Sequence, residues 1–321
     1  MTTFPPTLSL ADIEAARDRI AGGIRRTPCL RLPAVPELSG VEIWLKRDDL
    51  QRTRSFKERG ALNALLGLDQ SSRRRGVVTA SAGNHALGLA FHGSRLGIKV
   101  TVVMPVTVSP LKLTRCRGLG ADVLLHGRSF EEAEVRAVQW AAQSGASLVH
   151  PFDDIRVIAG QGTMALEILE QVSRFGALVL PVGGGGLLAG AAAAVKSLRA
   201  DVQVIAVQSD QARGFDAARR HGGPVPVPVG ATLADGMAVA CIGQTSFAIA
   251  EPLVDQIVTV TEREIVAAIS LLARRAGIVA EGAGAAGLAA VLAGRVSARI
   301  VVVPVTGGNI DPQLHERAVG A

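Results

Sequence analysis

Lysine is scarce in this 321-residue chain: Lys46, Lys57, Lys99, Lys112 and Lys196 are the only five. Any chemistry that needs an amine therefore has few places to go. Lys57 sits in Ser55-Phe56-Lys57-Glu58, where Ser55 and Glu58 have the spacing of a capping box and predict a helix start. An ammonium in that first turn meets the positive end of the helix, and burial adds a desolvation cost. Both lower its pKa and favour the neutral nucleophilic amine, the form that condenses with a carbonyl group.

A second element is Gly183-Gly184-Gly185-Gly186, between the apolar run ending at Val182 and the helix-prone segment from Leu187. Strand, glycine turn and helix in that order form an anion site. The turn has no Cβ atoms, so its N–H groups can converge, and the helix presents its positive end to the same point. A dinucleotide turn requires a third glycine where Leu188 stands and an acid at the end of the next strand, which instead ends in Val207-Gln208-Ser209. A single phosphate group fits better than a pyrophosphate.

Two shorter turns complete the set. Ser81-Ala82-Gly83-Asn84-His85 follows a short apolar run and exposes N–H groups at a helix start, suited to a carboxylate, with the Asn84 amide beside them. Taken alone it also reads as an ordinary capped turn, and His85 equally as a packed side chain satisfied by the backbone. Thr306 places a hydroxyl just after the apolar run 300–305, before Gly307-Gly308-Asn309. Strand ends of this kind are where open α/β sheets bind ligands.

These turns need a scaffold, and the periodicity predicts one. Short apolar runs alternate with helical patterns from Val77 onward, the rhythm of parallel sheets flanked by helices. The opening helix spans 8–26 with Ser9 as its cap, and the expected fold is α/β with two interleaved domains. Composition agrees, with 48% hydrophobic and 19% charged residues. The net charge of +6 is spread over scattered arginine pairs, and aromatic residues make up only 3% with no tyrosine, so a nucleic-acid partner is not expected. The three cysteines are far apart and form no metal or disulfide pattern, and no protein-ligated metal is expected. Segment 175–195 has the length of a membrane span, but its glycines and proline fit a buried strand–turn–helix unit better, so no membrane partner is expected.

Taken in order, Leu45-Lys46-Arg47-Asp48-Asp49-Leu50-Gln51 leading to Ser55-Phe56-Lys57, the Ser81–His85 turn, Gly183–Gly186, Thr232-Leu233-Ala234-Asp235-Gly236, Glu281-Gly282-Ala283-Gly284 and Thr306-Gly307-Gly308-Asn309 resemble the pyridoxal-phosphate threonine/serine dehydratases. These are fold-type-II enzymes similar to tryptophan synthase β and related to serine racemase. The resemblance implies a large cofactor-binding domain of residues 1–72 and 150–321 and a small substrate-carboxylate domain of residues 73–149, each an open, mostly parallel sheet. It implies that Lys57 joins the cofactor aldehyde as an imine and later takes the Cα proton. Phe56 packs near the ring, Asn84 bonds the phenolic oxygen, and Gly183, Gly184, Gly185, Gly186 and Leu187 hold the phosphate. Thr306 meets the pyridine nitrogen, and Ser81, Ala82, Gly83 and His85 receive the substrate.

The expected activity is β-elimination of water, then release of ammonia, from L-threonine, L-serine or a related β-hydroxy amino acid. The expected setting is a cytoplasmic homo-oligomer, dimer or tetramer. The alternatives are a 3-hydroxyaspartate dehydratase, an amino-acid racemase and, from another class, a nicotinamide-dependent dehydrogenase. Where racemases have a second serine, this chain has Ala82, with no proton to give the opposite face of Cα. Gln208 and Gly214 stand where related racemases have metal-binding acids, so no divalent ion is expected there. The chain stops soon after Asn309, so feedback through a C-terminal regulatory domain is not expected.

Overall fold

A computed structural model describes residues 7–33, 35 and 40–320. Two sheets organise them. The larger contains β1 (Cys29–Arg31), β2 (Glu42–Lys46), β7 (Ala177–Pro181), β8 (Gln203–Ser209), β9 (Gln256–Val260) and β10 (Ile300–Pro304), in the order β1-β2-β10-β7-β8-β9. Only the edge pair β1–β2 is antiparallel. The smaller sheet, in the order β5-β4-β3-β6, is wholly parallel and built from β3 (Val77–Ala80), β4 (Val100–Met104), β5 (Asp122–Leu125) and β6 (Ser147–Leu148). This is the expected α/β class.

The central strands show why the sequence lacks alternation there. Every residue of β3, β4 and β7 is buried, because helices cover both faces of a parallel sheet and each face must be apolar. The run 175–195 is therefore not a continuous helix. It divides into β7, the glycine turn and the helix Gly186–Leu198. Among the described residues no helix is long and apolar enough to cross a membrane.

The opening helix is Leu10–Ile20, with a Ser9–Asp12 capping box. It ends earlier than the apolar spacing suggests, just before Gly22-Gly23, where helix propensity falls. β1 and β9 escape sequence reading. β1 has only three residues, and β9 sits on an edge with a mixed burial pattern.

A buried ionic network fastens the segment preceding Lys57 to the core. Arg59, with no exposed surface, bonds Asp48 at 2.7 and 2.9 Å and Glu167 at 2.7 and 3.0 Å. Lys46 reaches the same Glu167 at 2.5 Å. Glu167 lies on the helix Ile155–Gln171, so the network ties the end of β2 and the Lys57–Leu66 helix to one partner. Between those helices the backbones nearly touch: a Cβ on Gly160 would lie 2.6 Å from the Gly60 Cα.

Candidate active site

The turns after β3, β7 and β10 and the start of the helix Lys57–Leu66 meet at one cavity of about 540 Å³. It is lined by every residue the sequence singled out: Phe56, Lys57, Ser81, Ala82, Gly83, Asn84, His85, Gly183, Gly184, Gly185, Gly186, Leu187 and Thr306. The parallel register brings them together, because it places the C-terminal ends of the strands on one side of the sheets.

Lys57 is the first residue of its helix, as expected, but the capping box does not form. The cap is Phe56, without a side-chain hydrogen bond. Ser55 Oγ accepts instead from the Lys57 N–H at 3.3 Å. Glu58 is fully buried and turns inward, accepting from the Thr53 N–H and facing His92 Nε2 at 3.2 Å. An exposed capping box leaves its glutamate free to fold back, whereas this helix packs its glutamate into the interior. The Lys57 loop is anchored to the Thr306 turn by Phe56 N–H to Thr306 O at 2.9 Å and Gly308 N–H to Arg54 O at 2.9 Å. Arg54 is held at φ 62°, the only non-glycine residue with positive φ among those described, a strained conformation of the kind that clusters at functional sites.

The Lys57 ammonium donates to Pro151 O at 2.7 Å and lies 5.2 Å from the Phe56 ring centroid. Burial lowers its pKa from 10.5 to about 8, and the nearby Glu281 charge opposes the shift. The amine is therefore far readier to lose its proton than a lysine in water. Pro151 leaves no signal in the sequence, because its contribution is a backbone carbonyl that any residue supplies.

At the glycine turn, the N–H groups of Gly183, Gly184, Gly185 and Gly186 find no backbone acceptor among the described residues. Gly185 caps the helix at φ 93°, a conformation costly for any residue with a Cβ. The turn also packs against Phe152, which itself lines the cavity. A Cβ on Gly184 would run into the Phe152 ring, and one on Gly186 would lie 2.6 Å from Phe152 O. Gly184→Ala is expected to push Phe152 into the cavity and weaken phosphate-ester binding by about tenfold or more. Titration with the phosphorylated and unphosphorylated cofactor tests this, and equal affinity of the variant and the parent protein for the phosphorylated form contradicts it.

At the Ser81 turn, Gly83 caps the helix Asn84–Leu96. The backbone N–H groups of Asn84 and His85 have no backbone acceptor among the described residues. The His85 side chain is only 2% exposed, with Nε2 3.4 Å from Val149 O and Nδ1 unpartnered. Burial pushes its pKa well below 6.5, with Lys57 adding to the effect. The ring is therefore a neutral packed group, and only the His85 backbone is placed to meet a ligand. Thr306 is 1% exposed at the end of β10.

Sequence reading assigned no role to Glu281, which bonds Asn84 at 2.7 Å, or to the Phe130–Glu134–His150 wall. In that wall His150 Nε2 lies 2.8 Å from Glu134 Oε1. Gln208 accepts from the Asp216 N–H at 3.3 Å, acting as a helix-end contact. No cluster of metal-binding side chains occurs among the described residues.

Residues 20–307 match the family described as pyridoxal-phosphate dependent enzyme. The chain belongs to this family. Among its relatives, the L-threonine ammonia-lyase of Thermotoga maritima is 43% identical over 313 residues, which is 97% of this chain and 78% of that protein. The threonine deaminase structure from T.th. superposes with a TM-score of 0.89 at 39% identity, covering 95% of this chain and 99% of the other. Serine racemase from Dictyostelium discoideum gives 0.89 at 37% identity, covering 95% and 100%. These neighbours share the fold-type-II architecture.

The cavity fits the family's cofactor on its own terms. Among the described residues the glycine turn leaves N–H groups without backbone acceptors where a phosphate needs donors, and a lysine of lowered pKa lines the same cavity. Family membership replaces the nicotinamide alternative with pyridoxal phosphate.

Proposed function

We propose that the protein is an L-threonine/L-serine ammonia-lyase, which removes water and then ammonia to give a 2-oxo acid. The observation that carries this reading is the lowered-pKa Lys57 between two helix starts with free N–H groups, each suited to one anion. The names of the relatives, threonine ammonia-lyase and threonine deaminase, support the substrate class. Gly183–Gly186 and Leu187 would hold the cofactor phosphate, Lys57 its aldehyde carbon, Phe56 its ring, Asn84 its phenolic oxygen and Thr306 its pyridine nitrogen. Ser81, Ala82, Gly83 and the His85 backbone would hold the substrate carboxylate.

When bound, pyridoxal phosphate supplies a conjugated system that accepts the electron pair left at Cα. The chain's own residues supply the rest. The helix start at Asn84 orients the carboxylate, and the neutral Lys57 amine takes the Cα proton. Thr306 would meet the ring nitrogen with a neutral hydroxyl in place of a carboxylate, and so would supply no negative charge to hold a proton there. Ala82 offers no proton to the opposite face, so racemisation is disfavoured.

The charge of the wall favours neutral side chains. Among the described residues Lys57 is the only lysine or arginine lining the cavity, whereas Glu131, Glu134, Asp153, Asp235 and Glu281 all line it. Asp235 is paired with Lys112 at 2.8 Å, but a second carboxylate on the substrate would still meet the remaining acids with no lysine or arginine besides Lys57 on the wall. Like-charge contact of this kind costs several kcal/mol. In a 2-oxo-acid assay across β-hydroxy amino acids, threonine and serine are expected to exceed 3-hydroxyaspartate by about 100-fold in kcat/KM. Preference for 3-hydroxyaspartate contradicts the reading.

The two sheets support a division into residues 1–72 with 150–321 and residues 73–149. Cys29, Cys116 and Cys241 are all free thiols, in keeping with a cytoplasmic enzyme. A homo-oligomer, dimer or tetramer, belongs to the same reading.

A further inference from the structure

Glu281 precedes the helix Gly282–Leu292 at its cap position, yet it makes no capping bond there. Its carboxylate crosses to the cavity and is only 4% exposed. Oε1 accepts from Asn84 Nδ2 at 2.7 Å, and Oε2 accepts from the Asn309 N–H at 3.1 Å. Asn309 closes the ring by donating from Nδ2 to Asn84 Oδ1 at 2.7 Å and to Thr53 O at 2.8 Å. Its own Oδ1 accepts from Arg115 at 2.7 Å.

These bonds leave no freedom in either amide. Asn309 spends both side-chain N–H groups on fixed acceptors and its oxygen on a cation, so its orientation is determined. Asn84 must then present its oxygen to Asn309 and one N–H to Glu281. Its second N–H has no partner among the described residues and belongs to a side chain on the cavity wall. Space is reserved for the arrangement: a Cβ on Gly307 would collide with Glu281 Oε1.

We propose that Glu281 is a positioning residue that, with Asn309, locks the Asn84 amide so that its remaining N–H is held for the phenolic oxygen of pyridoxal phosphate. The inference rests on the cavity being the cofactor site. Electrostatics accord with it. Burial and then Asp235 raise the Glu281 pKa to about 7, while the bonds from Asn84 and Asn309, and then Lys112, oppose the rise. Lys57 also faces this carboxyl. The carboxylate form accepts from both donors. A glutamine here must set one of its own N–H groups against a donor, either Asn84 or Asn309, and so releases the lock.

The test is a double-mutant cycle on cofactor affinity, read by absorbance and fluorescence titration of the apoprotein. Glu281→Gln is expected to weaken pyridoxal-phosphate binding by about tenfold and to shift the visible absorption maximum. Asn84→Ala is expected to do the same, and the double variant to bind no more weakly than Asn84→Ala alone. Multiplying losses in the double variant, or an unchanged affinity and spectrum in Glu281→Gln, overturns the proposal. If Glu281→Gln does not fold by circular dichroism, Asn309→Ala takes its place in the cycle with the same expectations. Failure of the cofactor reading itself looks different, since the unaltered protein would not bind pyridoxal phosphate at all.

Discussion

Lys57→Ala is expected to lower threonine turnover by about 10⁴-fold or more, because the proposed function makes one amine both covalent anchor and base. The fold is expected to survive, since among the described residues the only hydrogen bond its ammonium makes is to Pro151 O. A pH signature accompanies the loss. In the cofactor-free protein the Lys57 amine titrates near 8 in place of 10.5. Below that pH it is protonated and cannot attack a carbonyl. Cofactor uptake, followed by stopped-flow absorbance, should rise about tenfold per pH unit at lower pH and level above 8. An increase continuing toward 10.5 would mean an ordinary solvent-facing lysine. The same shift has a stability consequence. The native amine is neutral between 8 and 10.5 while the unfolded one is charged, so the cofactor-free protein loses stability as pH falls through that window. Below 8 both states are protonated and the slope vanishes.

Arg59→Ala destabilises the protein by about 3–5 kcal/mol, the cost of stripping the partner from buried carboxylates. Asp48 is fully buried and Glu167 nearly so, and without the guanidinium Asp48 keeps only the Thr27 hydroxyl at 2.6 Å among its close side-chain partners. The Arg59 charge contributes to holding the Asp48 carboxyl below its ordinary pKa despite burial. Urea unfolding of the apoprotein measures the loss, and a change under about 1 kcal/mol would contradict the network's structural role. Because Arg59 lies two residues after Lys57, cofactor affinity should fall together with stability.

How much of this the sequence disclosed depends on how local each feature is. The glycine turn and the Ser81 turn were legible, because strand, turn and helix follow one another and the anion site is made of consecutive N–H groups. Lys57 was legible from its rarity and its place at a helix start. The capping box failed as an inference because it assumed an exposed Glu58, whereas the helix buries that face against His92. Lys46 and Asp48 carried the family resemblance without revealing their purpose, and Arg59 drew no notice, since Glu167 lies more than 100 residues further on. Glu281 was hidden for the same reason: Asn84 is 197 residues away. The Pro151 carbonyl had no residue-type signal at all.

The proposed function requires Lys57 to be the residue to which pyridoxal phosphate attaches. Borohydride reduction of the loaded protein, followed by proteolysis and mass spectrometry, tests it directly. The phosphopyridoxyl group is expected on the single peptide position Lys57, in one equivalent per chain. Its recovery on Lys46, Lys99, Lys112 or Lys196, or its absence from all five lysines, would contradict the account.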